Sequence, residues 1–299
     1  SHDIRAVGAR FDTPAATTGA TTARCLIYVT PDAERTMCTF LGASTQLEPD
    51  DLDLSMVSDT KVLYLEGYLW DSPAAKRAFI AAAEACRAAN GQVALSLSDG
   101  FCVDRHRDSF LDLVNGHVDV LFANEVEIKS LYQTDDFDAA LESVRGSCSV
   151  IAITRGSQGS VVMSGDQRWD IGIVGLGELI DTTGAGDLYA GGFLHGYTQG
   201  ESLERCGKLG AICAGQIVTQ LGARPQVSLQ ELVSTHLSRE APSPIVHRPV
   251  KPSPANTTTR GCRSCATPQA LAEASRGNQP LFSSEVAPHH PSGSPPPRH

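Results

Sequence analysis

From Lys61 onward the chain alternates short apolar runs with longer amphipathic stretches. Residues 62–65, 93–97, 118–122 and 150–153 are apolar, β-branched-rich runs of strand length. Helix signals separate the first three. Ser72 before Pro73 opens an alanine-rich stretch that stops at Asn90 and Gly91, and Asp104 opens another that runs through Asn115 and Gly116. Consecutive strand–helix–strand units take right-handed crossovers, so the pattern predicts a doubly wound α/β body, its largely parallel sheet carrying helices on both faces. Ligands of such sheets sit beyond the carboxyl ends of the strands, which makes the residues just after each strand the ones to inspect.

The flanking stretches carry weaker patterns. Ile4 and Val7 before Gly8 have the spacing of a helix end, and residues 24–30 and 36–41 are β-rich runs around the turn segment that begins at Pro31. They predict a hairpin, which from spacing alone would be an edge of the main sheet. Residues 160–163 continue a hairpin from the 150–153 strand, and residues 169–178 offer two further short strands. A helix is predicted over 203–221, rich in Gly207, Gly210, Ala211, Ala214 and Gly215; small side chains there permit close packing or leave room for a flat ring. Ser228 with Glu231 is a capping box for a last helix ending near Leu237.

Composition changes the picture at one end. Twelve of the seventeen prolines lie beyond Arg239, and from Arg239 onward seven Lys or Arg face three Asp or Glu, so the acidic charge of the chain, −10 in all, belongs to the body. Such a tail cannot bury enough apolar area to offset its ordering entropy and is expected to be disordered. The expected division is 1–45 for a partial N-terminal segment with the hairpin, 46–238 for the α/β body and 239–299 for the tail. An acidic body argues against a general nucleic-acid surface. Nine scattered cysteines, an odd number mostly in apolar segments, read as buried reduced thiols, and the lone pair Cys262 and Cys265 lacks a second ligand pair for zinc. With no apolar run of membrane-spanning length, a cytoplasmic protein is expected.

Residues 179–196 read LIDTTGAGDLYAGGFLHG. An apolar approach meets Asp181, Thr182 and Thr183, then the turn Gly184, Ala185 and Gly186, and then Asp187 opens a segment of helical spacing. Glycines let a backbone turn tightly and bring its N–H groups close to a ligand, and a helix start favours an anion. A carboxylate there suits a base that takes a proton from a hydroxyl. Together these suggest phosphoryl transfer, although an ordinary capped helix after a glycine turn has the same letters. Neither GxxxxGK[ST] nor GxGxxG spacing occurs.

The run DTTGAGD, continuing into a glycine-rich helix, resembles the C-terminal motif of the ribokinase-like (PfkB-type) family of carbohydrate and nucleoside kinases. The resemblance extends over most of residues 1–237 and is strongest to bacterial adenosine kinases and sugar kinases. It implies an ATP-dependent kinase that phosphorylates a hydroxymethyl group of adenosine, another nucleoside or a sugar. In that scheme Asp187 is the base and Gly184, Ala185 and Gly186 form the anion hole. Asn124 and Glu127 match the family's N-x-x-E motif, which organises Mg2+ through water and the phosphates; from spacing alone the pair is a capping box. Thr154, Gly156 and Gly159 match a T-x-G-x-x-G loop that touches ATP, and Arg155 is a further candidate for phosphate, while Glu125 is a first-turn charge outside the motif. Asp181 and Thr183 match positions that in some relatives help hold a monovalent cation such as K+. The hairpin would be a remnant lid over the acceptor. The family's early substrate-binding Asp and GG-x-x-x-N motif are not found, so the chain is expected to be truncated at its N-terminus, and the alternative function is a nucleotide-binding fragment without an acceptor site.

Overall fold

The computed structural model describes residues 2–237. The expected disordered tail and the Cys262 and Cys265 pair lie outside the described residues. A short helix, α1 (His2–Ala6), buries none of its side chains. Strands β1 (Arg24–Val29) and β2 (Arg35–Phe40) then pair antiparallel, with Ile27 opposite Met37 and Val29 opposite Arg35, in a two-stranded sheet of their own. The hairpin is therefore no edge of the main sheet. Its two strands are exposed along nearly their whole length, which leaves Cys25 and Cys38 on the surface, contrary to the expected burial; Cys86, Cys102, Cys148, Cys206 and Cys213 are buried.

Helix α2 (Leu54–Ser58), capped by the Asp53 carboxylate, leads into the body. There β3 (Val62–Glu66), α3 (Pro73–Ala88), β4 (Gln92–Ser96), α4 (Gly100–His117), β5 (Val120–Asn124), α5 (Glu125–Tyr132), α6 (Phe137–Val144) and β6 (Val150–Thr154) alternate, and β3 to β6 pair in parallel. Strands β7 (Ser160–Ser164) and β8 (Gln167–Ile171) extend the sheet antiparallel, giving the order β3-β4-β5-β6-β7-β8. The central strands read as continuous apolar runs because both faces are covered. One face packs Phe79, Phe110, Leu113, Ile128 and Leu131 from α3, α4 and α5 against Leu95, Leu121 and Ile153. The other packs α7 (Ala185–Gln199) and α8 (Leu203–Ile217), through Tyr189, Phe193 and Tyr197, against Val120, Phe122 and Ala152. Helix α9 (Leu229–His236), capped by Ser228, closes the described chain. Among the described residues no helix is long and apolar enough to cross a membrane.

Three boundaries differ from the sequence pattern, each for a tertiary reason. Helix α4 starts at Gly100 rather than Asp104, because Asp99 caps it by accepting from the Phe101 and Cys102 amides, while Asp104 binds Arg107 and Ser130 instead. The second strand expected within 169–178 does not form. Val174 instead lies against α8, where a side chain on Gly215 would meet its carbonyl at 2.2 Å. Helix α8 also stops at Ile217, four residues short, where the Val218 carbonyl accepts the Ile180 amide at 2.8 Å. The small residues of α8 serve packing: a Cβ on Gly207 would meet Ile171 and Val162, and one on Gly210 would meet Tyr189.

The contact between α7 and α8 is equally close, since a Cβ on Gly192 would lie 2.7 Å from the Leu209 carbonyl and 2.8 Å from Cys213 Sγ. Gly192→Val is therefore expected to lower stability by about 1–3 kcal/mol, read as a shifted urea midpoint at unchanged slope. An unshifted midpoint would show that the helix pair has slack.

Candidate functional site

The parallel strands end along one edge of the sheet, and their register sets the site. Glu66 of β3 lies opposite Ser96 of β4, and Asn124 of β5 opposite Thr154 of β6, so the N-x-x-E and T-x-G-x-x-G segments emerge side by side. Asn124 and Glu127 form a reciprocal capping box: Asn124 Oδ1 accepts the Glu127 amide at 2.8 Å, and Glu127 accepts the Asn124 amide at 2.9 Å and its Nδ2 at 2.7 Å. The cap and the motif are thus the same geometry. Glu127 is only 6% exposed. Burial pushes its carboxyl up to about 7 against the opposing Asn124 amide, and the charges of Asp99 and Glu66 push it the same way.

After Thr154 the chain makes a tight turn in which the Arg155 amide donates to the Gly159 carbonyl at 2.8 Å. Gly159 has φ 81° and ψ −130°, and a Cβ there would sit 2.0 Å from the Ile171 carbonyl, so glycine is required on two counts. Arg155 does not point to a vacant anion site. It pairs with Glu125 at 2.9 Å and lies over the Phe137 ring at 3.8 Å, so Glu125 is more than a first-turn charge: it neutralises both Arg155 and Lys129.

In the DTTGAGD segment Gly184 is the residue before α7, with φ 82°, and a side chain on it would strike Ala223 at 2.7 Å. The Ala185 amide donates to the Thr182 carbonyl at 3.2 Å, whereas the Gly184 and Gly186 amides have no acceptor among the described residues. Asp187 stands in the first turn, exposed and without a hydrogen bond among them. Asp181 is buried and accepts from the Thr183 amide at 2.9 Å, the Thr183 hydroxyl at 2.6 Å and the Gly222 amide at 2.9 Å. Burial pushes its carboxyl upward, but these donors outweigh it and hold the group below the usual carboxylate range.

Residues that the motifs did not announce complete the edge. Half-buried Glu66 accepts from Ser98 Oγ at 2.6 Å and bonds the Tyr64 hydroxyl; Ser98, at φ 64°, in turn accepts the Gly67 amide at 2.9 Å. Burial raises the Glu66 carboxyl, and the Asp187 charge adds to the effect, which brings the start of α7 within electrostatic reach of the end of β3. Arg35 of the hairpin donates to Thr182 Oγ1. The arrangement is an open shelf of amides and carboxylates. A cavity of about 460 Å3 around Trp70, Ile80 and Leu113, between α3 and α4, contains none of these groups.

The pfkB family carbohydrate kinase profile matches residues 4–229. The chain belongs to that family. It is 48% identical to an adenosine kinase from Sinorhizobium meliloti whose crystal structure superposes with a TM-score of 0.76 over 78% of this chain and 72% of that one. A probable sugar kinase from Rhizobium etli gives the same identity and TM-score over 78% and 71%. A nucleoside kinase of Methanocaldococcus jannaschii is 32% identical over 138 residues, 44% of this chain and 43% of that protein, so the chain spans less than half the length of this curated relative. The mostly parallel sheet between helices is as the sequence pattern predicts, and it is the ribokinase-like fold that the resemblance implies.

Within this pfkB-family fold, four carboxylates, Glu66, Asp99, Glu127 and Asp187, act on one another or on Tyr68 at the edge. That concentration of negative charge fits a divalent cation. No three of the described His, Cys, Asp and Glu side chains converge closely enough to ligate one directly.

The Glu127 environment makes a pH prediction. Its folded value, about 7, exceeds the ordinary 4.5, so the folded chain binds the extra proton. Its stabilisation is present below about pH 4.5 and is lost as pH rises through about 7, amounting to about 3 kcal/mol. Wild type should lose about that much stability relative to Glu127→Gln between pH 4.5 and 8.5, measured by urea unfolding without magnesium; a pH-independent difference would exclude a buried neutral Glu127.

Proposed function

We propose that the chain is an ATP-dependent phosphotransferase acting on a hydroxymethyl group of a nucleoside, adenosine foremost, or of a sugar. The observation that carries this reading is the start of α7, where the Gly184 and Gly186 amides have no acceptor among the described residues and an exposed carboxylate, Asp187, occupies the same turn. Amides fixed in this way, with the positive end of the helix behind them, are organised for the charge of a transferring phosphoryl group before it arrives. Ala185 joins them when its weak bond to Thr182 gives way to phosphate.

Asp187 takes the proton of the acceptor hydroxyl as that oxygen attacks the terminal phosphorus. Its open position suits this role, because a carboxylate tied up by neighbouring donors would be a weaker base. Positioned base catalysis contributes about 10²- to 10⁴-fold, or roughly 3–5 kcal/mol of barrier, and one anion-hole donor contributes a comparable amount. Thr154, Gly156 and Gly159 form the turn that receives the nucleotide, next to Asn124 in register. Asn124 and Glu127 would hold a magnesium ion through water, and the ion would supply neutralisation of the phosphate charges. Asp181, buried and held in its ionised form, gives the Asp181 to Thr183 segment the charge that a monovalent cation such as K+ would need. The family membership and the 48% identical adenosine kinase support the choice of acceptor class.

Asp187→Asn should lower the rate of phosphoryl transfer to adenosine by about 10²-fold or more while changing the ATP dissociation constant about twofold at most. Transfer at the wild-type rate would remove Asp187 from the mechanism. ATP binding by the wild-type chain without transfer to adenosine, ribose or other sugars would instead favour the nucleotide-binding fragment.

A further inference from the structure

Helix α4 is interrupted at His106, whose φ of −127° and ψ of 25° are not helical. The interruption has an identifiable cause in the contacts of that side chain. Its Nε2 lies 2.7 Å from Oδ1 of Asp71, just ahead of α3, and its Nδ1 lies 3.2 Å from Nζ of Lys76 on α3. Lys76 also donates to Ser109 Oγ at 3.1 Å, and Trp70 Nε1 donates to the same oxygen at 2.9 Å. The Ser109 hydroxyl in turn donates to the His106 carbonyl at 3.0 Å.

These donors and acceptors leave one arrangement of protons. An ammonium group has no lone pair, so the Nδ1 that meets Lys76 is the acceptor; a carboxylate only accepts, so Nε2 carries its hydrogen toward Asp71. The Arg105 guanidinium, foremost, and His106 hold the Asp71 carboxyl below the usual range against the effect of burial. Ser109 uses its hydrogen on the His106 carbonyl and its two lone pairs on Trp70 and Lys76. His106 is therefore neutral in this arrangement. A second proton would stand on Nδ1 and face the ammonium of Lys76, with Arg105 as a further positive charge on the same carboxylate, so the Lys76 contact is the one that must part. Cys102 Sγ, 3.9 Å from Asp71 Oδ1, completes the cluster, and burial pushes its thiol up to about 11, which keeps it neutral throughout.

What Lys76 covers is an aromatic surface. Its Nζ lies over the Trp70 ring, 5.3 Å from the centroid, while Phe79 and Phe110 pack against the same ring at 5.5 and 5.6 Å. With the lysine in place Trp70 is only 3% exposed, although it lines the cavity of about 460 Å3 between α3 and α4 together with Lys76 and Ser109.

We propose that His106 is a pH-operated latch between α3 and α4: neutral, it holds Lys76 over Trp70; protonated, it keeps Asp71, releases Lys76 and opens the Trp70 face of the cavity to solvent. Asp99 caps the same helix, so the Gly100 to Arg105 segment ahead of the interruption connects the latch to the strand-end edge.

The test is acrylamide quenching of Trp70 fluorescence in the full chain carrying Trp169→Phe, which removes the other tryptophan. Quenching should rise along a one-proton curve as pH falls from about 8 to about 5, the interval in which imidazoles gain charge, read over the range in which far-ultraviolet dichroism is unchanged. Its acid level should match that of Lys76→Ala, which is open at every pH; Lys76→Gln serves if the alanine variant unfolds early. His106→Gln can donate to Asp71 and accept from Lys76 without titrating, so it should stay at the low level throughout. His117→Asn, which alters the other imidazole lining the cavity, should leave the curve in place. Quenching that does not change with pH, or a change that survives in His106→Gln or disappears in His117→Asn, would overturn the latch.

Discussion

The geometry of the edge site depends on how α7 is held against the sheet. Tyr189, Phe193 and Tyr197 recur every four residues, so they form one stripe along the helix. Phe193 meets Phe122 edge to face at 5.3 Å, Tyr189 hydrogen-bonds Ser160 of β7 at 2.8 Å, and Gln92 of β4 donates to the Tyr197 hydroxyl at 2.9 Å. The ring stack supplies burial, and the two hydroxyls fix where the helix lies across the strands. The near side of α8 leaves α7 no room to move away, because Gly192 and Gly196 already bring the two helices into contact. Amide groups at the end of such a clamped helix hold their direction without further support, as electrostatic preorganisation requires.

Charge at the edge follows from the same placement. Parallel strands bring their carboxyl ends together, and here they bring Glu66, Asp99 and Glu127 with them, facing Asp187 at the start of α7. Their mutual repulsion is part of what raises Glu66 and Glu127, and burial is the larger part. Asp99 and Asn124 offset some of this cost by capping helices, a use of a polar group that stabilises with or without ligand. The N-x-x-E segment is thus a capping box in its own right, and the charge of Glu127 is carried on the same side chain that caps α5.

Local signals made much of this legible. The βαβ alternation, the Asn124 and Glu127 box and the glycine at position 184 each express a constraint contained within a few residues, and each reappears in the structure. What the sequence concealed was set by distant partners. Residues 172–178 carry strand-like letters, but Val174 is claimed by α8 and Ile173 is left exposed, so no ladder forms. Asp104 looks like a helix cap until Asp99, ahead of a glycine that gives little helix signal, takes the role. Glu66 sits at the end of an apolar strand with nothing local to mark it, and its meaning comes from Ser98, 32 residues on. Arg155 fails in the opposite direction: the loop position invites a phosphate role that Glu125 and Phe137 remove.

The hairpin stands in contrast to the clamped helix. Two strands alone are marginal in water, and both faces of β1 and β2 are exposed, with Leu26, Tyr28 and Phe40 in contact with solvent over more than half of their surface. The hairpin gains little from burial where it stands, so a displacement forfeits little. A pair of strands this exposed is positioned by the few polar bonds it makes, and Arg35 makes one of them to Thr182, two residues before Gly184. Few contacts thus hold the hairpin, whereas α7 is clamped from both sides, by its aromatic stripe against the sheet and by the glycine contact with α8.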